Sequence, residues 1–323
     1  MKKNSYLNPA PLFVEIGQDS LQAVRENDRV ELPLQREPDG RLTPACKSET
    51  VAALKKFLNA KGWQPRARAI CAIGSRGVSL RRLSLPAGTK EEFHQRLLLQ
   101  IEGEFPLSPD ELAWGSQPLG GSPANGAAAR QELLVVAVKK EVVADYEEML
   151  RASGTEPVFT LAAMARRNLC AEPGQDFAML EIGKSQSELT VFEKGVPAGS
   201  RIIFWGGENP SGPPDARVDA LAQSIKAGVA GTKLFVSGSG VSEEFAARLG
   251  NSLSNGCRCE RLNVAPVGGG SAAISGLQKF SERNADPSLL IRVEQKSATA
   301  TSLTAVDFKK WGIRAGVLAV ALL

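Results

Sequence analysis

Two stretches of the chain, 12–24 and 177–207, share one pattern of apolar and polar positions. The first runs Leu12-Phe13-Val14-Glu15-Ile16-Gly17 and resumes, alternating, through Leu21, Ala23 and Val24. The second runs Phe177-Ala178-Met179-Leu180-Glu181-Ile182-Gly183 and resumes through Leu189 and Val191. Each predicts a buried strand that ends near an acid, a glycine turn, and a second strand. Two such hairpins half a chain apart predict two lobes with a cleft between them.

Between the hairpins the period changes. Val51, Leu54, Phe57 and Leu58 recur at helical spacing within 48–61, with Gly62 as the stop, and 68–73 reads as a buried strand. A different unit opens at 79–86 with an edge-like alternating strand ending at Pro86. A helix over 90–104 follows, with Phe93, Leu97, Leu98 and Ile101 on one face, then a strand at Leu112-Ala113-Trp114 and a central strand over 133–138. A helix over 140–153, stopped at Gly154, closes this strand–helix–strand–strand insertion. A helix over 159–169 leads back to the first lobe. After the second hairpin, helices are predicted over 216–229, 243–249 and 272–280. Between the first two, a strand enters Ser237-Gly238-Ser239-Gly240. The resulting division is a first lobe at 1–78 with a return at 158–175, an insertion at 79–157, a second lobe at 176–284, a linker at 285–311, and an apolar tail at 312–323.

A length of 323 residues suits two or three subdomains around separate cores. With 43% hydrophobic and 23% charged residues, wholesale disorder is excluded. The net charge of +4 is spread out, and its densest clusters (Arg76, Arg81 and Arg82; Lys309 and Lys310) lack interleaved aromatics, so no nucleic-acid partner is expected. Five scattered cysteines form no disulfide or metal framework and fit a reducing cytoplasm, and a zinc or Ser-His-Asp enzyme would have to be built on His94 alone. The first eight residues carry two lysines but no apolar core for a signal peptide. The tail from Gly312 is apolar apart from Arg314, and Lys309, Lys310 and Arg314 precede it. It is expected to be the start of a truncated transmembrane helix with that flank on the cytoplasmic side.

The paired hairpins also suggest chemistry. A glycine after a strand lets backbone N–H groups approach a phosphate tail, and an acid there can hold a metal through water. Glu15, Gly17, Glu181 and Gly183 are the candidates, with Gly238 and Gly240 on the far side of the cleft. Leu83-Ser84-Leu85-Pro86, the run from Ile101 to Glu111, Leu134-Val135-Val136-Ala137-Val138 and the stretch Val196-Pro197-Ala198-Gly199-Ser200-Arg201-Ile202-Ile203 follow in an order that resembles the PilM and GspL families. These are actin-like proteins of type IV pilus and type II secretion inner-membrane platforms. The resemblance runs to about residue 280. It implies an α/β, actin-like (ribonuclease H-like) two-lobed fold with the inserted subdomain and a reduced second lobe. It also implies a scaffold or adaptor at the cytoplasmic face of the bacterial inner membrane. The implied partners are PilN-like or GspM-like platform proteins, the assembly ATPase and a second copy of the chain in a homodimer.

The motifs depart from those of nucleotide-using members. Glutamates stand for aspartates, Gln18 and Asp19 follow Gly17 where hydroxyls would hold phosphates, and a short Pro/Gly loop at 208–215 replaces the wall of an adenine pocket. Like charges about 4 Å apart in a screened cleft repel by roughly 1–4 kcal/mol. The expectation is therefore no catalytic residue, no metal and no cofactor, with at most a weak Mg-ATP site. A working actin-like ATPase or sugar kinase is the alternative, with Glu15 and Glu181 as its only acids. A filament protein of the FtsA type ranks below both, because the tail lacks the polar face of an amphipathic anchor. Two partner surfaces are expected. One is the edge of the insertion near Ser79-Leu80-Arg81-Arg82. The other is the cleft between the lobes, occupied in cis by Leu289, Leu290 and Ile291 as a partner peptide would be.

Overall fold

The computed structural model describes residues 10–59, 65–122, 130–172, 174–208, 214–238, 240–253, 256–264, 270–282 and 289–293. Gly62, residues 123–129 of the small-residue loop, Ser239, the linker apart from 289–293, and the apolar tail lie outside the described residues.

The first lobe begins with β1 (Leu12–Ile16), β2 (Ser20–Arg25) and β3 (Asp28–Pro33), then α1 (Pro44–Leu58) and β4 (Ala67–Ile73). β1 lies between β2, antiparallel with Phe13 opposite Val24, and β4, parallel with Leu12 opposite Ala69. An inner strand covered on both faces needs apolar side chains on both, which is why its run is nearly continuous. β3 is an edge strand that the sequence reading does not include: Val30 and Leu32 are half-buried against the core and its other residues are exposed. α1 starts four residues earlier than its apolar spacing implies. The Thr43 side chain accepts from the Cys46 amide and Pro44 takes the first helical position, a start set by capping.

The insertion consists of β5 (Val78–Pro86), α2 (Lys90–Glu104), β6 (Leu112–Ser122), β7 (Arg130–Lys139) and α3 (Lys140–Ala152). β7 is central, between β5 and β6, and residues 133–138 are all buried. The chain returns through β8 (Thr155–Leu161) and α4 (Ala162–Arg167). This corrects the helix expected over 159–169. Phe159, Thr160 and Leu161 pair in parallel with Cys71, Ala72 and Ile73, so strand pairing takes the first turn of the expected helix.

The second lobe repeats the plan with β9 (Phe177–Ile182), β10 (Ser187–Glu193), β11 (Val196–Ile203), α5 (Pro214–Ile225), β12 (Lys233–Gly238), α6 (Glu243–Leu253) and β13 (Arg258–Arg261). The strand orders are β3-β2-β1-β4-β8 and β11-β10-β9-β12-β13, so the hairpins that looked alike in sequence hold equivalent places. α7 (Ala272–Ser281) falls within the 176–284 segment but packs with the first lobe. Ala273, Ile274 and Leu277 share a core with Phe13, Ile70, Ala162 and Ala165.

The described chain ends as a strap. Ile291 donates its amide to the Phe159 carbonyl, and β14 (Arg292–Val293) pairs with Trp114 and Ala113 of β6. Gly115 lies directly beneath the Leu290 carbonyl, where no Cβ would fit.

α4 and α7 approach so closely that a Cβ on Gly276 would run into the Ala165 carbonyl. Helix propensity alone predicts that Gly→Ala stabilises a helix by about 0.5–1 kcal/mol. Gly103, with open space around it in α2, should follow that rule. Gly276→Ala should reverse it and lower the thermal midpoint by about 5 °C. Thermal scans of the two variants check this, and matching signs would contradict the packing account.

Candidate functional site

The tips of the two hairpins meet across the cleft, and their turn amides are engaged within the turns. The Gly17 amide donates to the Ser20 carbonyl at 2.9 Å, and the Gly183 amide to the Gln186 carbonyl at 3.1 Å. Arg36 clamps the first tip from behind, donating to the Gly17 carbonyl at 2.8 Å, the Gln18 carbonyl at 3.1 Å and the Tyr146 hydroxyl at 2.5 Å. The second tip is held by the amides of Gly207 and Glu208, which donate to the carbonyls of Gly183 and Lys184. Tip meets tip where the Ser185 hydroxyl donates to Asp19 at 2.7 Å. The aspartate expected to repel a triphosphate therefore holds the opposite lobe.

The floor of the cleft is ionic. Arg166, at the end of α4, is only 2% exposed. Its guanidinium stands 3.4 Å from Glu15 and 2.8 Å from Glu188 of β10. Glu188 also accepts the Ser75 amide at 2.9 Å and the Ser75 hydroxyl at 2.7 Å. Glu181 accepts a short hydrogen bond from the Ser237 hydroxyl. Burial pushes the Glu181 carboxyl up to about 7, with Arg166 pulling the other way and Glu15 adding to the rise. Burial likewise raises Glu15 against the pull of Arg166. For Arg166 burial opposes the charge, but Glu188, Glu181 and Glu15 outweigh it and hold the guanidinium above its ordinary value.

Glu15, Gly17, Glu181, Gly183 and Gly238 line one cleft of about 580 Å³. Gly238 has φ +113° and lies against the Ile182 backbone, an approach open only to glycine. Gly240 is at the turn beyond it, with φ +71° and open space around it. Five acidic and five basic side chains line the cleft, so the expectation of a simply acidic cradle needs correcting: acids dominate the floor, and Arg29, Lys184 and Arg261 offset them near the rim. Neither Glu15 nor Glu181 hydrogen-bonds its neighbouring glycine turn. Their partners are Arg166 and Ser237. Among the described residues, no three His, Cys, Asp or Glu side chains stand together to hold a metal.

Leu289, Leu290 and Ile291 lie elsewhere. Leu289 and Ile291 are buried between the insertion and β8, not in the cleft between the lobes. At the opposite edge of the inserted sheet, Arg82 of β5 is engaged with Glu193 at 2.7 Å. Sequence reasoning missed Arg166, Glu188 and Ser75. The available signal was an arginine following four small or apolar residues (Ala162, Ala163, Met164 and Ala165), a place where a charge calls for a partner.

The fold is the two-lobed actin-like one, mixed sheets with helices. No protein-family model matches this sequence, and no curated protein matches it. Among solved structures it is similar to the PilM-PilN type IV pilus biogenesis complex, at 18% identity, over 86% of this chain and 99% of that one, with a TM-score of 0.63. It is also similar to the cytoplasmic domain of EpsL, an inner-membrane component of the type II secretion system of Vibrio cholerae. That match has 10% identity over 84% and 94% of the two chains and a TM-score of 0.48. A third neighbour is the ethanolamine utilization protein EutJ from Carboxydothermus hydrogenoformans, at 12% identity over 83% and 89%, with a TM-score of 0.45. Among the described residues, no helix is long and apolar enough to cross a membrane.

The raised carboxyl of Glu181 makes a signed prediction. The folded chain keeps a proton there up to about pH 7, whereas the unfolded chain releases it near 4.5. Stability should therefore be greatest below about 4.5 for this group and should fall as pH rises through about 7. Glu181→Gln should flatten the decline between those values. Thermal midpoints measured across that range for both proteins test it, and equal slopes would refute the assignment.

Proposed function

We propose that this chain is a non-hydrolysing adaptor of a type IV pilus or type II secretion assembly platform. In this reading it sits at the cytoplasmic face of the inner membrane, tethered by the apolar segment that follows Lys309 and Lys310. It uses its two-lobed body to hold a PilN-type or GspM-type partner. The likeness to the PilM-PilN structure across nearly the whole of that chain supports the class. One observation supports the absence of turnover: the groups that would grip a triphosphate are satisfied inside the chain. The tip amides of Gly17 and Gly183 close their own turns, the Ser185 hydroxyl serves Asp19, and the Ser237 hydroxyl serves Glu181.

A γ-phosphate would have to displace these bonds and stand beside a floor of three glutamates countered by one buried arginine. Neither acid is placed to hold Mg²⁺ through water or to orient an attacking water without first leaving its partner. An adaptor needs none of this, and for it the Ser185–Asp19 bond ties the tip of one lobe to the tip of the other.

Two measurements test the proposal. Isothermal titration of the full chain with Mg-ATP should show no binding tighter than millimolar, and phosphate release should stay at the buffer rate. Micromolar binding with turnover would favour the ATPase alternative. A pull-down with the cytoplasmic peptide of the organism's PilN-type or GspM-type protein should retain the chain, and loss of both interactions would overturn the adaptor role.

A further inference from the structure

Three donors converge on one point in the cleft beside the turn between β4 and β5. The Ser75 amide and hydroxyl come from the turn itself, and the Arg166 guanidinium comes from α4. Convergent donors of this kind, in a site closed to water, form a cradle for an oxyanion. The cradle belongs wholly to the first lobe. Its occupant is a carboxylate of the second: one oxygen of Glu188 takes the Ser75 amide, and the other takes the Ser75 hydroxyl and Arg166. A relay prepares the hydroxyl, since Ser200 of β11 donates to the Ser75 oxygen at 2.7 Å and so leaves the Ser75 proton for Glu188. The backbone leaves room as well. A Cβ on Gly74 would stand 3.5 Å from the carboxylate, in ordinary contact.

We propose that Glu188 is an internal ligand: a carboxylate of the second lobe that fills an anion site of the first and holds the lobes together with no small molecule bound. Among the other ties across the cleft, Ser200 to Ser75 belongs to the same cluster, whereas Ser185 to Asp19 and Lys184 to Glu31 lie at the solvent-exposed rim, where water and salt weaken polar contacts. The Glu188 tie is different in kind. Removing it takes the closest counter-charge from Arg166 and leaves it the longer contact to Glu15 and the field of Glu181, and an under-compensated buried charge is strongly destabilising. The chemical class that fits the vacated cradle is a small carboxylate. The inference rests on reading the cleft as a joint and deepens that reading by naming what closes it.

The test is chemical rescue in the full chain. Glu188→Ala should lower the thermal midpoint by about 10 °C. Sodium acetate should restore at least about half of that loss relative to sodium chloride at matched ionic strength, and should leave the wild type unmoved. Adding Ser75→Ala should abolish the rescue. A Glu188→Ala protein as stable as wild type, or one that chloride restores as well as acetate does, overturns the proposal. Should Glu188→Ala not fold, Glu188→Gln serves instead, because its amide group faces donors with a donor. Exchange of the Ser75 amide hydrogen should then be at least about tenfold faster than in wild type, and unchanged exchange would overturn the proposal. A pull-down that fails with wild type while acetate rescue succeeds counts against the adaptor role alone. Failed rescue with the partner retained counts against the internal ligand alone.

Discussion

Arg166 carries a charge into a place from which water is excluded, and the arrangement of the cleft follows from the need to compensate it. A buried guanidinium is tolerated only when carboxylates and hydrogen-bond acceptors surround it. Here Glu15 comes from the end of β1, and Glu188 reaches across from β10. Small residues make the position possible. Ala162, Ala163 and Ala165 let α4 sink against the first sheet, and Gly276 lets α7 close over it without a Cβ in the way. The strand ends, the helix pair and the two lobes are thus adjusted to one side chain.

The hairpin tips, like the floor, spend their polar groups inside the chain. In an actin-like fold, two glycine hairpins facing each other make an anion site when their amides and hydroxyls are free. In this chain the same hairpins are present, but the tips close on themselves and on each other, and Arg36 draws the first tip backward by its carbonyls. The geometry of the fold is kept while its polar groups turn inward. The proposed docking role would benefit from that rigidity, whereas an enzyme that cycles between states would have to break it in each turnover.

The inserted subdomain shows comparable management of sheet edges, which otherwise invite unintended pairing. On one side Leu289, Ile291 and β14 cover the start of β6, and further along the β6–β7 register shifts between Pro118 and Gly120. On the other side Arg82 of β5 is tied to Glu193 and to the Val196 carbonyl. The segment expected to sit between the lobes instead seals the insertion to β8. Its leucine and isoleucine find apolar cover there, whereas the cleft floor offers charges.

The sequence by itself determined the strands that alternate or run apolar, the glycine turns of the two hairpins, the inserted unit and its central strand, and Glu15 and Glu181 as cleft residues. These depend on periodicity and on backbone freedom, which are local. The strand that replaces the first turn of the helix expected at 159–169 and the placement of α7 with the first lobe were not legible, because contact with distant segments decides them, while β3, a local hairpin partner of β2, lacks a continuous apolar run. The same holds for the site. That Asp19 serves Ser185, and that Arg166 gathers carboxylates from both lobes, came only from the tertiary structure, since a charge acquires its partner by folding and the residues concerned lie more than 100 positions apart along the chain in the Ser75–Glu188 pair.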